Sequence, residues 1–229
     1  MADHYQVDVA VIGSGGAGLS AALVASSHGS RVVVLEKSEL LGGTTALSGG
    51  SVWAPGHHYQ ESVGVEDSRD DALAYIRAVA PEGWHNVEDP LWVSFVDHAP
   101  EMLRFIEQNS PLKFTPCREP DPYAEAPGGK AFGREVSPRP IALSILGSLR
   151  HKLRGPQFTP WLNYEEVVDT GLYVMPKRWL LRLAPRLLYR MLTNKRVMGS
   201  ALVVGLLKGC VDKGCEIWTG ARAEKLIQS

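Results

Sequence analysis

Cysteine is scarce in this chain, and the little there is forms no pattern. Cys117, Cys210 and Cys215 are the three cysteines among 229 residues. With no Cys-x-x-Cys pair and no zinc or calcium ligand spacing, they argue against a disulfide framework and a metal site and predict free thiols. No Gly-x-Ser-x-Gly elbow occurs, so a serine hydrolase has no support. Net charge is −1, and no nucleic-acid-binding motif accompanies the basic residues, so nucleic acid is not an expected partner. The N-terminal residues lack a basic n-region. The uncharged stretch from Val9 to Ser30 is broken by five glycines, which excludes a membrane span. A cytoplasmic protein is the expectation.

Glycine, by contrast, is concentrated where it has work to do. The apolar run Val7–Ile12 leads into Gly13-Ser14-Gly15-Gly16-Ala17-Gly18, and a second apolar run, Leu19–Ala25, follows. After a turn at His28-Gly29-Ser30 come Val32-Val33-Val34-Leu35 and an acid, Glu36. This order predicts strand, glycine turn, helix, strand, acid, which is the context a dinucleotide-binding fingerprint requires. Gly13 permits the tight turn, Gly15 admits a diphosphate to the backbone, and Gly18 allows the helix to pack on the strand. The helix N-terminus offers N–H groups to negative charge, and Glu36 is placed to accept from ribose hydroxyls.

The residues after Glu36-Lys37 choose among dinucleotides. Leu41-Gly42-Gly43-Thr44-Thr45-Ala46 and Ser48-Gly49-Gly50 are poor helix and poor strand. Their bare backbone and short hydroxyls suit a long ligand's diphosphate and ribityl chain. Together with the glycine turn and Glu36-Lys37, these doublets resemble the N-terminal half of the fumarate reductase/succinate dehydrogenase flavoprotein superfamily. The run from Gly42 to Gly56 is similar within it to the 3-ketosteroid dehydrogenases. The resemblance implies FAD, bound without a covalent link, because Gly43 stands where members with covalent flavin carry histidine. It also implies an α/β, Rossmann-like FAD-binding domain of the glutathione-reductase type, with a largely helical and irregular insertion.

Further along, Asp121-Pro122-Tyr123-Ala124-Glu125 and Pro127-Gly128-Gly129 are similar to the Asp-Tyr-x-Pro-Glu and Pro-Gly-Gly segment of the ketosteroid dehydrogenases. Pro122 and Ala124 depart from that pattern. By the resemblance Tyr123 lines the active site, where a tyrosine can take the α-proton of a ketone. Gly199–Val203 and Glu216–Thr219 are similar to the helix and strand that return to the cofactor domain. Thr219–Ile227 resembles the strand passing the adenine, with Ala223 a backbone contact. The expected boundaries are therefore a core of residues 5–54 and about 197–229, with an insertion over about 55–196. The family's substrate-capping domain is not in this chain, which reads as the N-terminal part of a longer polypeptide.

Between these landmarks, helices are expected over Asp70–Ala80 and residues 89–109, the second broken or kinked at Pro100. Residues 111–140 read as one long irregular segment. Residues 1–149 carry 10 Lys and Arg against 19 Asp and Glu, and residues 150–229 carry 14 against 6. Arg178, Arg182, Arg186 and Arg190 recur every four residues. They predict a solvated basic face or, alternatively, a membrane-surface helix over 177–196. His57 and His58 follow a Pro-Gly turn and read as a surface loop. The function expected is FAD-dependent dehydrogenation α,β to a ketone in a steroid or other apolar substrate, with an external electron acceptor. A reductase of small unsaturated acids and a truncated non-catalytic fragment are the alternatives.

Overall fold

The computed structural model describes residues 4–155, 161–170 and 176–228, and the side chains of these except for Thr170 and 176–182. Strand β1 (Val9–Ile12) runs into helix α1 (Gly16–Ser27), which returns the chain to strand β2 (Val32–Glu36). Leu19, Ala22, Leu23 and Ser26 are the buried residues of α1, one face at helical spacing. Near the end of the chain α6 (Met198–Asp212) precedes β8 (Glu216–Thr219). The three strands form a parallel sheet in the order β1-β2-β8, with Val9 opposite Val32 and Val33 opposite Glu216. The α/β dinucleotide fold expected from the sequence is the fold observed.

The intervening elements are β3 (Val52–Trp53), α2 (Arg69–Val79), α3 (His85–Asn109), β4 (Phe114–Pro116), β5 (Glu135–Pro138), β6 (Ile141–Ala142), α4 (Tyr164–Thr170), α5 (Pro176–Leu192) and β7 (Lys195–Arg196). Ser68 caps α2, its hydroxyl accepting from Asp71 N–H at 3.0 Å. Helix α3 continues through both Pro90 and Pro100 instead of breaking at the second. Val96, Ala99, Leu103 and Ile106 are buried on it, and that packing outweighs the hydrogen bond each proline removes. The segment 111–140 is not wholly irregular. β4 and β5 pair antiparallel within it, and β5 also pairs with β3.

In the basic row on α5, Arg186 is exposed as expected and Arg190 is not. Arg190 is buried and grips Glu166 with Nη1 and Nη2 at 2.5 and 2.9 Å, and Arg186 joins the same carboxylate at 2.9 Å. Burial pushes the Glu166 carboxyl upward, but the two arginines more than reverse this and hold it below its ordinary range. The side chains of Arg178 and Arg182 lie outside the described residues. No helix among the described residues is long and apolar enough to cross a membrane.

One hydrophobic core joins the cofactor strands to the insertion. Val11, Leu19, Leu23 and Val34 share it with Leu103, Leu112, Phe114, Val136 and Leu143, and with Val203, Val204 and Leu207 of α6. Glycines let α6 enter that core. A Cβ on Gly199 would stand 1.9 Å from the Thr45 carbonyl oxygen, and one on Gly205 would stand 2.2 Å from Leu112 Cγ. Gly199→Ala is therefore expected to destabilise the fold by about 1–3 kcal/mol, the usual range for overpacking. A lower urea midpoint with an unchanged slope would register it, and an unaltered midpoint would refute the close approach.

Candidate cofactor site

β1 delivers the chain to Gly13, whose φ of +95° favours glycine. No protein atom lies within 4 Å of where a Cβ on Gly13 would stand, so this residue keeps open space clear. Ser14 is fully buried. Its N–H and its hydroxyl both donate to Glu36 Oε2, at 3.0 and 2.6 Å, and the same hydroxyl oxygen accepts from Gly42 N–H at 2.9 Å. Glu36 Oε1 accepts from Ser38 N–H at 2.9 Å. Burial raises the pKa of Glu36, but the hydrogen bonds from Ser14 and Ser38, aided by the charge of Arg154, outweigh it and hold the carboxyl below its ordinary range.

Gly18 is forced by geometry, since a Cβ there would fall 2.1 Å from the Gly13 carbonyl oxygen. At the start of α1, Gly16 N–H donates to Thr45 Oγ1 at 2.9 Å. The N–H groups of Gly15, Ala17 and Gly18 have no acceptor among the described residues. Gly43, with φ +51°, sits against Gly15, the distance from its would-be Cβ to Gly15 Cα being 3.5 Å. Beside this turn opens a cleft of about 600 Å³, within the usual size range for small-molecule sites.

The structure brings Gly13, Ser14, Gly15, Glu36, Lys37, Gly43, Thr44 and Ala223 together on the cleft wall. Gly16, Ala17 and Gly18 lie behind them in α1, Gly42 is held against Ser14, and Thr45 caps Gly16. Ser48, Gly49 and Gly50 of the second doublet are not among the residues that line this cleft, although the neighbouring Leu47 is. Ser48 Oγ donates to Thr45 O and accepts from Gly50 N–H, at 2.9 and 3.1 Å. A Cβ on Gly49 would meet the Tyr164 ring at 3.1 Å, and one on Gly50 would stand 2.3 Å from Gly199 N. In the structure this doublet serves the close approach of α6. Sequence reasoning missed Ser38, Arg154 and Arg222, which also line the cleft. Ala221 reaches it because its N–H donates to Glu36 O at 2.9 Å.

A bare glycine turn, a helix N-terminus with free donors and a buried acid ending the second strand define a dinucleotide-binding α/β domain. The particular class follows from likeness: residues 8–229 match the FAD binding domain family, and the chain belongs to it. It is 34% identical over 224 residues to a 4-oxocyclohexanecarboxylate 2-dehydrogenase of Sinomonas cyclohexanicum, covering 97% of this chain and 37% of the relative. It is 42% identical over 145 residues to a 3-oxosteroid 1-dehydrogenase of Mycolicibacterium smegmatis, covering 62% of this chain and 25% of the relative. A solved 3-ketosteroid delta1-dehydrogenase from Sterolibacterium denitrificans superposes with a TM-score of 0.81 at 31% identity, over 93% of this chain and 40% of its own. The chain thus spans about two fifths or less of the length of these relatives. The cofactor is FAD. The residues present fit it: the free N–H groups at Gly15 and Ala17 suit a diphosphate, and the open space at Gly13 admits it.

Tyr123 lies away from this cleft, on a loop clamped by a buried ion-pair network. Its side chain is exposed, and its N–H donates to Tyr75 Oη at 3.4 Å. Arg134, buried between the rings of Trp53 and Tyr75, donates to Asp67 at 2.9 and 2.7 Å and to Asp121 at 2.8 Å. Asp121 also accepts from Trp53 Nε1 and Lys130 N–H, which closes the loop at both ends. His57 departs from the surface loop expected of the pair, whereas His58 is exposed as expected. His57 is buried, which pushes its pKa down to about 4, and His58 pairs with Glu107 at 2.9 Å.

The depressed pKa of Glu36 has a sign that can be tested. Its ionised form stabilises the fold above the ordinary glutamate value near 4.5, and this is lost as pH falls below that value. The stability gap between the parent protein and Glu36→Gln is expected to be constant near neutrality and to close below about pH 4.5. Denaturant titrations across pH would show it, and a gap that widens in acid would contradict the assignment.

Proposed function

We propose that this chain is the cofactor-holding part of an FAD-dependent dehydrogenase. It would introduce a carbon–carbon double bond beside the carbonyl of a ring ketone, either a steroid or a smaller alicyclic ketone. One observation carries the reading: likeness over nearly the whole chain to proteins named as dehydrogenases of ketosteroids and of an oxocyclohexane carboxylate. The two substrates share a ring and an oxo group, so that shared chemistry is the class proposed.

Bound FAD supplies the acceptor for a hydride equivalent from the carbon β to the carbonyl. The remaining tasks fall to the chain. The N–H groups of Gly15 and Ala17 hold the diphosphate, and Glu36 and the backbone at Ala223 receive the adenosine. Gly43 has no side chain able to form a covalent link at that position, so the cofactor is held non-covalently. The hydroxyl of Tyr123 takes the proton from the carbon next to the carbonyl, with the Arg134–Asp121 network keeping its loop in place. The electrons then pass to an external acceptor.

Acid denaturation of the purified holoprotein is expected to release all of its flavin as FAD, and flavin remaining on the precipitate would refute the non-covalent mode. With a ring ketone and a dye acceptor, Tyr123→Phe should lower turnover on the order of 100-fold, the lower end for loss of a general base. FAD content should stay at the parent level. An unchanged rate would remove Tyr123 from the chemistry.

A further inference from the structure

Two cations on the cleft wall, Arg154 and Arg222, come from outside the glycine fingerprint. Arg154 lies over a hundred residues after Glu36 in the chain, just past the 3-10 helical stretch Leu143–Lys152 that follows β6. Two backbone hydrogen bonds fix it there: Leu41 N–H donates to Lys152 O at 2.7 Å, and Arg154 N–H donates to Leu41 O at 2.9 Å. Lys152 Nζ donates to Thr219 Oγ1 at 2.6 Å. Residues 152–154 thus form a strap tied to the start of the first glycine doublet and to the end of β8. The strap carries the guanidinium to the wall of the cleft, beside Glu36 and Ser38.

The hydrogen bonding of that guanidinium is incomplete. Nη2 donates to Ser38 Oγ at a long 3.4 Å, while Nε is buried and has no partner among the described residues. A buried donor without an acceptor costs about 1–3 kcal/mol, and such groups are rare in folded proteins. The neighbouring carboxylate does not account for it, because the oxygens of Glu36 accept from Ser14 and Ser38 instead. Glu36 ends β2, where the ribose of a bound dinucleotide belongs. The guanidinium therefore lines the adenosine side of the cleft, although Nε itself is shielded by protein.

We infer that Arg154 is a cofactor-binding residue, its terminal guanidinium nitrogens donating to an oxygen or ring nitrogen of the adenosine diphosphate half of FAD. This rests on the FAD reading. It adds a contact supplied by the segment that the fingerprint does not include. Two sources of affinity are separable here. A general counter-charge to the diphosphate would be served equally by lysine, whereas a planar donor fork at a defined position would not.

Calorimetric titration of the apoprotein with FAD and, separately, with ADP tests the assignment without any turnover. Parent protein that binds neither would overturn the cofactor reading itself. Given parent binding, Arg154→Gln is expected to weaken FAD and ADP alike by about tenfold, the loss of one charge-assisted hydrogen bond. Arg154→Lys should recover less than half of that loss on a logarithmic scale. The nucleotide-free variants should still unfold cooperatively, because the strap is tied by backbone. Unchanged affinities in Arg154→Gln, a loss for FAD with none for ADP, or full recovery in Arg154→Lys would each overturn the inference.

Discussion

Three segments of this molecule meet at the hydroxyl of Ser14. It donates to Glu36 at the end of β2 and accepts from Gly42 at the start of the first glycine doublet, while its own backbone forms the glycine turn. A hydrogen bond to a charged group contributes about 1.5–3 kcal/mol, and an orphaned buried partner costs a similar amount. The arrangement therefore sets the distance between the two loops that wall the cleft. It also favours the ionised form of Glu36 despite its burial. Thr45 extends the same logic by capping Gly16, leaving Gly15 and Ala17 free.

The second constraint is steric. Gly199, Gly205 and Gly209 let α6 lie against the 45–48 loop, Leu112 and the Asn109 carbonyl, respectively, at separations no other residue allows. Gly50 contributes the matching absence from the other side. The result is a single core in which the cofactor strands and the insertion share side chains. The position of the Tyr123 loop thus depends on packing that begins at the cofactor turn. Arg134, with Asp67 and Asp121 as partners, carries that rigidity to the loop itself.

Much of the fold was legible because its signals are local. Strand, glycine turn, helix and acid follow one another within 30 residues or so, and each constrains the next through the backbone. The first doublet was legible for the same reason. The packing role of Gly49 and Gly50 was hidden, because the partners that forbid a side chain, Tyr164 and Gly199, are remote in sequence. Arg190 read as surface because its counter-charge, Glu166, belongs to another helix. The same blindness covered His58 with Glu107 and Arg154 with Ser38. At Pro100 a local rule predicted a break or a kink, and burial of Val96, Ala99 and Leu103 carried the helix through without a break.

The parallel sheet has a consequence for how the chain comes to be folded. β2 is its central strand, yet one of its two neighbours, β8, is among the last elements of the chain. Until β8 arrives, the Val32–Glu36 strand presents a row of open backbone donors and acceptors flanked by valines. Pairing over so long a separation is entropically slow, and an apolar edge of that kind is prone to pair with another chain. During synthesis the cofactor half must therefore wait for the insertion to be made and packed. Until then one edge of the strand that ends in Glu36 stays open.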